Sequence, residues 1–378
     1  MPELSTKING TEKSAEIKAE YKKFVGRKIL FIFSTIILII IIAGIAATLG
    51  PYQISVLEVY SIVWHGIPKI VQNLDFILSH SFKDFSLTYF TKEESIIWFL
   101  RLPPIVMAIL AGVGLGIAGT TMQGVVRNPL ASPYTLGIAS AAGFGAALAI
   151  ILGAGFATGQ NIIIAANAFF FALCSSFIIY GISRYKGVSP ETMILAGIAL
   201  MYLFSAMTGV LQFFGEEKAV VGVVYWMFGS LAGASWDKLF VMFIVLIICI
   251  PLIMLKSWDL NTLSTGDERA KSLGVNVNRT RVVCFMLASL VTAGVICFTG
   301  TIGFIGLVAP HMCRMIIGGD NRYLIPASGL FGAVVLLSAS ILARPPIAPS
   351  FIPVGLVTAF LGVPMFLYLI LRRRKEYW

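Results

Sequence analysis

Charge is scarce in this chain. Lys, Arg, Asp and Glu make up 12% of the 378 residues, about half the share in a soluble domain. A chain so poor in charge cannot solvate itself on all sides. Histidine is rarer still, with only His65, His80 and His311. His65 and His80 fall in one polar stretch with no evident partner and read as surface residues. The five cysteines (Cys174, Cys249, Cys284, Cys297, Cys313) form no CxxC pair and sit in or beside apolar runs. They read as small core residues, not as metal ligands or disulfides. No GxxxxGK[ST], HExxH or GxSxG occurs, so nothing here cradles ATP phosphates, and no catalytic residue or metal site is expected. Gly114 to Gly119 does spell GxGxxG, but inside a helical apolar run, without the strand before it or the acidic residue about 20 positions on that dinucleotide binding needs. Few ionisable groups fall mid-run, which argues against proton or ion coupling.

What is abundant is apolar sequence. Hydrophobic residues make up 58% and mean hydropathy is +0.90. Many runs exceed the roughly 20 residues that cross a bilayer as a helix. The pattern predicts an all-α polytopic membrane protein with about ten spans: 29–49, 102–122, 133–153, 161–183, 190–213, 239–256, 281–298, 303–318, 323–343 and 351–371. Residues 1–28 read as an N-terminal tail, 29–371 as the transmembrane domain and 372–378 as a C-terminal tail. The tail at 1–28 is too long and too acidic for a signal n-region, and Ile29–Leu49 is too long for a signal core. Placing both termini in the cytoplasm puts 21 of the 28 Lys and Arg inside, which sets the orientation. The net charge of +10 therefore reads as topology, with no nucleic-acid partner.

Several local signals stand out. Ser55 with Glu58 spells a capping box opening a helix through about His65. Val56, Val59, Ile62 and Val63 form its apolar face, which predicts a helix on the membrane surface. Ala108, Gly112, Gly116 and Thr120 recur every four residues, as do Gly137, Ala141 and Gly145, the ladders that let helices approach closely in lipid. Asn128-Pro129 and Ser132-Pro133 pair N-cap residues with proline at the first helical position. Gly197, Met201, Ser205 and Gly209 share one face, which suits helix packing or a weakly interacting pore lining. Val220–Leu231 is a short apolar helix at the outer mouth. Gly119-Thr120 and Gly300-Thr301 each precede a proline by ten residues, a trace of an inverted repeat or chance.

The polar stretch Asn261–Arg281 lies between two apolar runs. Thr265 and Glu268 read as a capping box, and Gly274 as a helix stop able to adopt φ > 0. A helix of about two to three turns follows, too short to stand alone in water. It fits an ordinary interhelix loop or a cytoplasmic docking helix that receives a push from a soluble partner.

Together these features resemble the permease subunits of type II ABC importers, the iron-siderophore, haem and cobalamin family. The likeness covers nearly everything after residue 95. It is carried by Arg101-Leu-Pro103, Gly124, Arg127-Asn128-Pro129-Leu130-Ala131, Leu195-Ala196-Gly197, Trp226-Met227 and Gly266 to Gly274. Further along come Gly303-Phe304-Ile305-Gly306-Leu307, Pro310-His311, Arg314 and Pro353-Val354-Gly355. The resemblance implies ten spans, a homodimer with the pathway on its axis, two cytoplasmic ATPases and an extracytoplasmic binding protein. It implies the prokaryotic cell (inner) membrane, and no cofactor on this chain, with ATP on the partner subunit. The substrate would be an iron-siderophore, haem or cobalamin, or molybdate or tungstate, moved by alternating access. By likeness, Gly266, Asp267, Glu268, Arg269, Ala270, Leu273 and Gly274 form the ATPase-coupling segment. Arg101 and Arg344 match binding-protein docking arginines, though headgroup anchoring fits them equally. Ser189, Pro190 and Glu191 match an inner gate, and Gly197, Met201, Ser205 and Gly209 the pathway lining. Pro104 and Phe351 depart from the family's arginine and acidic residue, and Ser132 replaces a common aspartate. A self-sufficient secondary transporter or channel is the alternative reading.

Overall fold

The computed structural model describes residues 2–50, 52–72, 89–153, 155, 160–344 and 352–371. Among them, all regular structure is helical. Helix α1 (Pro2–Thr48) runs unbroken from the N-terminal tail through the first apolar run. Then come α2 (Val56–Gln72), α3 (Lys92–Ser95), a π-helical turn (Ile96–Arg101), α4 (Leu102–Val126), α5 (Ile138–Leu152), α6 (Gln160–Lys186) and α7 (Pro190–Phe214). The second half holds α8 (Glu217–Met227), α9 (Trp236–Leu255), α10 (Ser257–Leu263), α11 (Asp267–Ser272), α12 (Val277–Thr299), α13 (Ile305–Ile317), α14 (Asn321–Leu342) and α15 (Val354–Leu371).

Seven helical segments among the described residues are long and apolar enough to span a membrane: Lys22–Thr48, Lys92–Val126, Ile162–Lys186, Pro190–Phe214, Trp236–Leu255, Val277–Thr299 and Asn321–Leu342. Three more apolar helices, Ile138–Leu152, Ile305–Ile317 and Val354–Leu367, are shorter. They stand where the sequence predicts the third, eighth and tenth spans. The chain is thus an all-helical polytopic membrane protein.

Helix α4 is the hub. It packs on α12, α13 and α14, and its small residues explain how. A Cβ on Gly112 would lie 2.5 Å from the Ala333 Cα of α14, and one on Gly116 would lie 2.2 Å from the Ser328 carbonyl oxygen. The first ladder therefore allows backbone-to-backbone contact, which substitutes for apolar burial as the organising force in lipid. The second ladder works likewise: Gly145 faces the Asn167 backbone of α6. Four cysteines are buried, Cys174 is half-buried, and all five are free.

Several local expectations change. Asn128 and Ser132 bond to the turns that follow them, to the N–H groups of Leu130 and Thr135, but neither begins a helix. Helix α5 starts only at Ile138, after Gly137 at φ 73°. Gly119 lies mid-helix against the Gly306 carbonyl, while Gly300 ends α12 at φ 67°, so the two glycines stand in unlike environments. The Ser55–Glu58 capping box forms, but α2 runs on to Gln72, past His65. Val59 is buried in the core, and the Tyr60 hydroxyl donates to the Ile40 carbonyl of α1 at 2.6 Å. That face packs on protein. The outward side carries Leu57 and Trp64, 82% and 74% exposed. Helix α8 ends at Met227 and packs on α5. His80, Pro345, Pro346, Pro349, Phe351 and the basic residues 372–375 lie outside the described residues.

Candidate functional site

Helices α10 and α11 project from the end of the bundle where α4 finishes and α12 begins. Helix α11 has only six residues and is preceded by its N-cap Gly266, whose φ of 109° no side chain tolerates well. The capping box read from Thr265 and Glu268 does not form. Thr265 instead donates its hydroxyl to the Thr262 carbonyl at 2.8 Å, closing α10. Glu268 pairs with Lys271 on the exposed face at 2.9 Å. At the other end Gly274 takes φ 85°, and the Gly274 and Val275 N–H groups donate to the carbonyls of Lys271 and Ala270. This is the glycine-stopped helix end anticipated from the sequence.

The short helix has two faces. Ala270 is wholly buried and Leu273 is 70% exposed. Glu268, Arg269 and Lys271 are exposed beside Leu273. An apolar side chain ringed by charges suits a protein contact better than open water.

Asp267 points the other way. Its carboxylate accepts from Arg281 Nη2 at 3.0 Å and Nη1 at 3.2 Å, and forms an ion pair with Arg127 Nη2 at 3.1 Å. Partial burial pushes this carboxyl up, but the two guanidinium groups outweigh it and hold its pKa below the usual value. Arg281 is completely buried. It also donates from Nε to the Val125 carbonyl at 3.1 Å and from Nη1 to the Val188 carbonyl at 2.8 Å. Val125 is in the last turn of α4, whose carbonyls lack helical partners. Val188 immediately precedes Ser189, which caps α7 by accepting from the Thr192 N–H at 3.2 Å. The sequence reading of the coupling segment did not include Arg281. Its place at the junction of the polar stretch and the following apolar run gave no sign that it would be buried.

A second polar cluster steadies the same end. Asn261 of α10 donates to Asp320 at 2.7 Å and accepts from the Asn321 N–H at 2.7 Å. Lys28 of α1 lies 3.6 Å from Asp320, and Arg322 binds it at 2.6 Å. Burial raises the Asp320 carboxyl, but bonds from Arg322 and Asn261 outweigh that and bring its pKa to about 2. Thr280, next to Arg281, donates to Asp259 of α10 at 3.1 Å.

At the far end of the bundle, Arg101 and Arg344 converge on the last turn of α1. Arg101 donates to the carbonyls of Ala47 and Tyr52, and Arg344 to that of Ala46 at 3.0 Å. Cations belong at a helix C-terminus. Arg101 is 6% exposed. Burial and the Arg101 charge beside it lower the pKa of Arg344.

The face chosen for the pathway divides. Gly197 is buried against the Leu136 backbone, where a Cβ would lie 2.7 Å from its Cα, so it is a packing contact. Ser205 and Gly209 are exposed and Met201 is half-buried. In the gate turn, Pro190 is buried and Glu191 exposed. Among the described residues, no three His, Cys, Asp or Glu side chains gather as a metal site.

Comparison with known proteins accords with this architecture. The model of the FecCD transport family matches residues 34–372. A hemin transport system permease of Yersinia pestis is 39% identical over 74% of this chain and 84% of its own length. An Fe(3+)-citrate import system permease of Bacillus subtilis is 36% identical, covering 91% and 95%. A solved inward-facing structure of a metal-chelate type ABC transporter superposes with a TM-score of 0.75 at 30% identity, covering 90% of this chain and 99% of that one. The family is one of transport permeases rather than catalytic subunits, and with its seven candidate spans this chain is a multi-pass inner membrane protein. By its matched length and by these identities, the chain belongs to the FecCD transport family.

Proposed function

We propose that this chain is the membrane-spanning subunit of a binding-protein-dependent ABC importer that moves a metal chelate by alternating access. The observation that carries the reading is α11: a short helix with one buried residue, Ala270, and one prominent apolar residue, Leu273. Such a helix is fixed at its base and presented to a partner. A separate ATPase is the partner this reading assigns, since the sequence has no phosphate-binding loop of its own. The contact face is Glu268, Arg269 and Leu273, framed by Gly266 and Gly274, with Asp267 and Ala270 as the inner anchors.

The remaining assignments follow the same reading. Ten spans with both termini in the cytoplasm add α5, α13 and α15 to the seven long segments. Two copies form the pathway, and Met201, Ser205 and Gly209 line it, whereas Gly197 packs. Ser189, Pro190 and Glu191 form the inner gate. Arg344 meets the extracytoplasmic binding protein, while Arg101 holds the end of α1. The iron and haem relatives favour an iron chelate as cargo, with cobalamin or molybdate as the wider class.

Reconstitution tests the reading. The permease is placed in liposomes with the ATPase and binding protein that this reading assigns to it, and uptake of ferric citrate and haem is followed. Uptake that needs internal ATP and both partners supports it. Uptake driven by an ion gradient without the ATPase overturns it in favour of a secondary transporter.

A further inference from the structure

The buried guanidinium of Arg281 touches three elements at once. It grips Asp267 at the first residue of α11, the Val125 carbonyl at the end of α4, and the Val188 carbonyl before the cap of α7. A buried cation is costly unless its donors are all used. Here Nε, Nη1 and Nη2 are each committed, and only the planar fork of arginine offers donors in these directions. Asp267 is held from a second side by Arg127, the residue that ends α4. One turn-length of α12 thus clamps both short helices, through Thr280 to Asp259 and through Arg281 to Asp267.

We propose that Arg281 and Asp267 form a transmission latch that makes α11, the inner end of α4 and the Val188–Glu191 turn move as one body. Asp267 is then not an ATPase contact. It is a positioning residue that carries displacement of α11 inward, while Leu273 on the opposite face receives it. The proposal rests on the ATPase-coupled reading and adds the path by which a push on α11 reaches α7. The connection is short: Val188 stands one residue before the α7 cap, and Ser189 in turn holds the Thr192 N–H. A shift of Asp267 has no slack to absorb it, because both carboxylate oxygens are already bonded.

The test uses the whole transporter with its ATPase in inside-out vesicles, and needs no knowledge of the cargo. Glu191→Cys, at an exposed position, reports the gate turn by its labelling rate with a membrane-impermeant maleimide. With the latch intact, trapping the ATPase with ATP and vanadate changes that rate about fivefold or more, the scale of ordinary coupling energies. Arg281→Lys keeps the charge but cannot hold three elements at once. With the ATPase still co-purifying at the wild-type ratio, its trapped-to-free ratio falls to about one. Asp267→Asn moves the ratio in the same direction. A merely structural role would lower the amount of assembled complex and leave the ratio per complex unchanged. An unchanged ratio in both variants overturns the latch, as does loss of the ATPase from both with thermal stability intact, since Asp267 would then be a docking contact. If the unmutated permease holds no ATPase at all, the coupling reading itself fails, which is a distinct result. Should Arg281→Lys fail to fold, spin labels at Glu191→Cys and Lys271→Cys in the otherwise intact latch decide the matter. The latch predicts one narrow distance that stays constant within about 5 Å between nucleotide-free and trapped states, and a larger change contradicts it.

Discussion

Asn261 donates its side-chain amide to Asp320 at 2.7 Å and takes the Asn321 N–H in return at the same distance. Two residues nearly sixty positions apart thus join α10 to the turn before α14. With Lys28 and Arg322 on the same carboxylate, this end of the bundle is fastened at three helices.

That cluster makes stability depend on pH in a defined way. The Asp320 carboxyl titrates at about 2 in the folded protein and near 3.9 when unfolded. A depressed pKa stabilises the fold above the unfolded value and loses that contribution as pH falls through the folded one. Thermal unfolding in detergent is therefore expected to show this contribution intact from neutral pH to about 5. The part due to Asp320 declines from about 4 towards 2. Asp320→Asn should be less stable at neutral pH and show less of this acid-side decline.

Close packing of α4 on α14 gives a steric prediction. Gly116→Ala places a methyl 2.2 Å from the Ser328 carbonyl oxygen, and both atoms belong to rigid helices. The helices must separate, at a cost of about 1–3 kcal/mol. Gly209→Ala, with nothing within 4 Å, should leave thermal stability unchanged in the same assay.

Helix caps separate the real start signals from the apparent one. Asn276 accepts the Arg279 N–H at 3.0 Å, so Asn276→Ala should cost about 1 kcal/mol. Thr265→Ala should cost much less, because Thr265 does not cap α11. Comparing the melting temperatures of the two variants checks the assignment.

Much of the architecture was readable from the residues. Apolar runs located the long helices, because a bilayer imposes a length. The four-residue ladders marked the α4–α14 and α5–α6 contacts, because only small residues permit them. Gly274 marked a helix end through its φ. What was hidden depended on distance along the chain. Arg281 finds Val125, Val188 and Asp267 only once the fold brings 156, 93 and 14 residues of separation to zero. Thr265 misled because a capping box and a hydroxyl closing the preceding turn share one local sequence, and here the backbone of Gly266 decided between them. The partners of Arg101, the Ala47 and Tyr52 carbonyls, lie 54 and 49 residues away and were likewise not visible in the sequence.

The most direct test of the account is the hold of Leu273 on the ATPase. Leu273→Asp replaces an exposed side chain, so the permease should fold with an unchanged melting temperature. The account predicts that the ATPase no longer co-purifies with this variant and that ATP-driven uptake stops. Full retention of the ATPase together with wild-type uptake would contradict it.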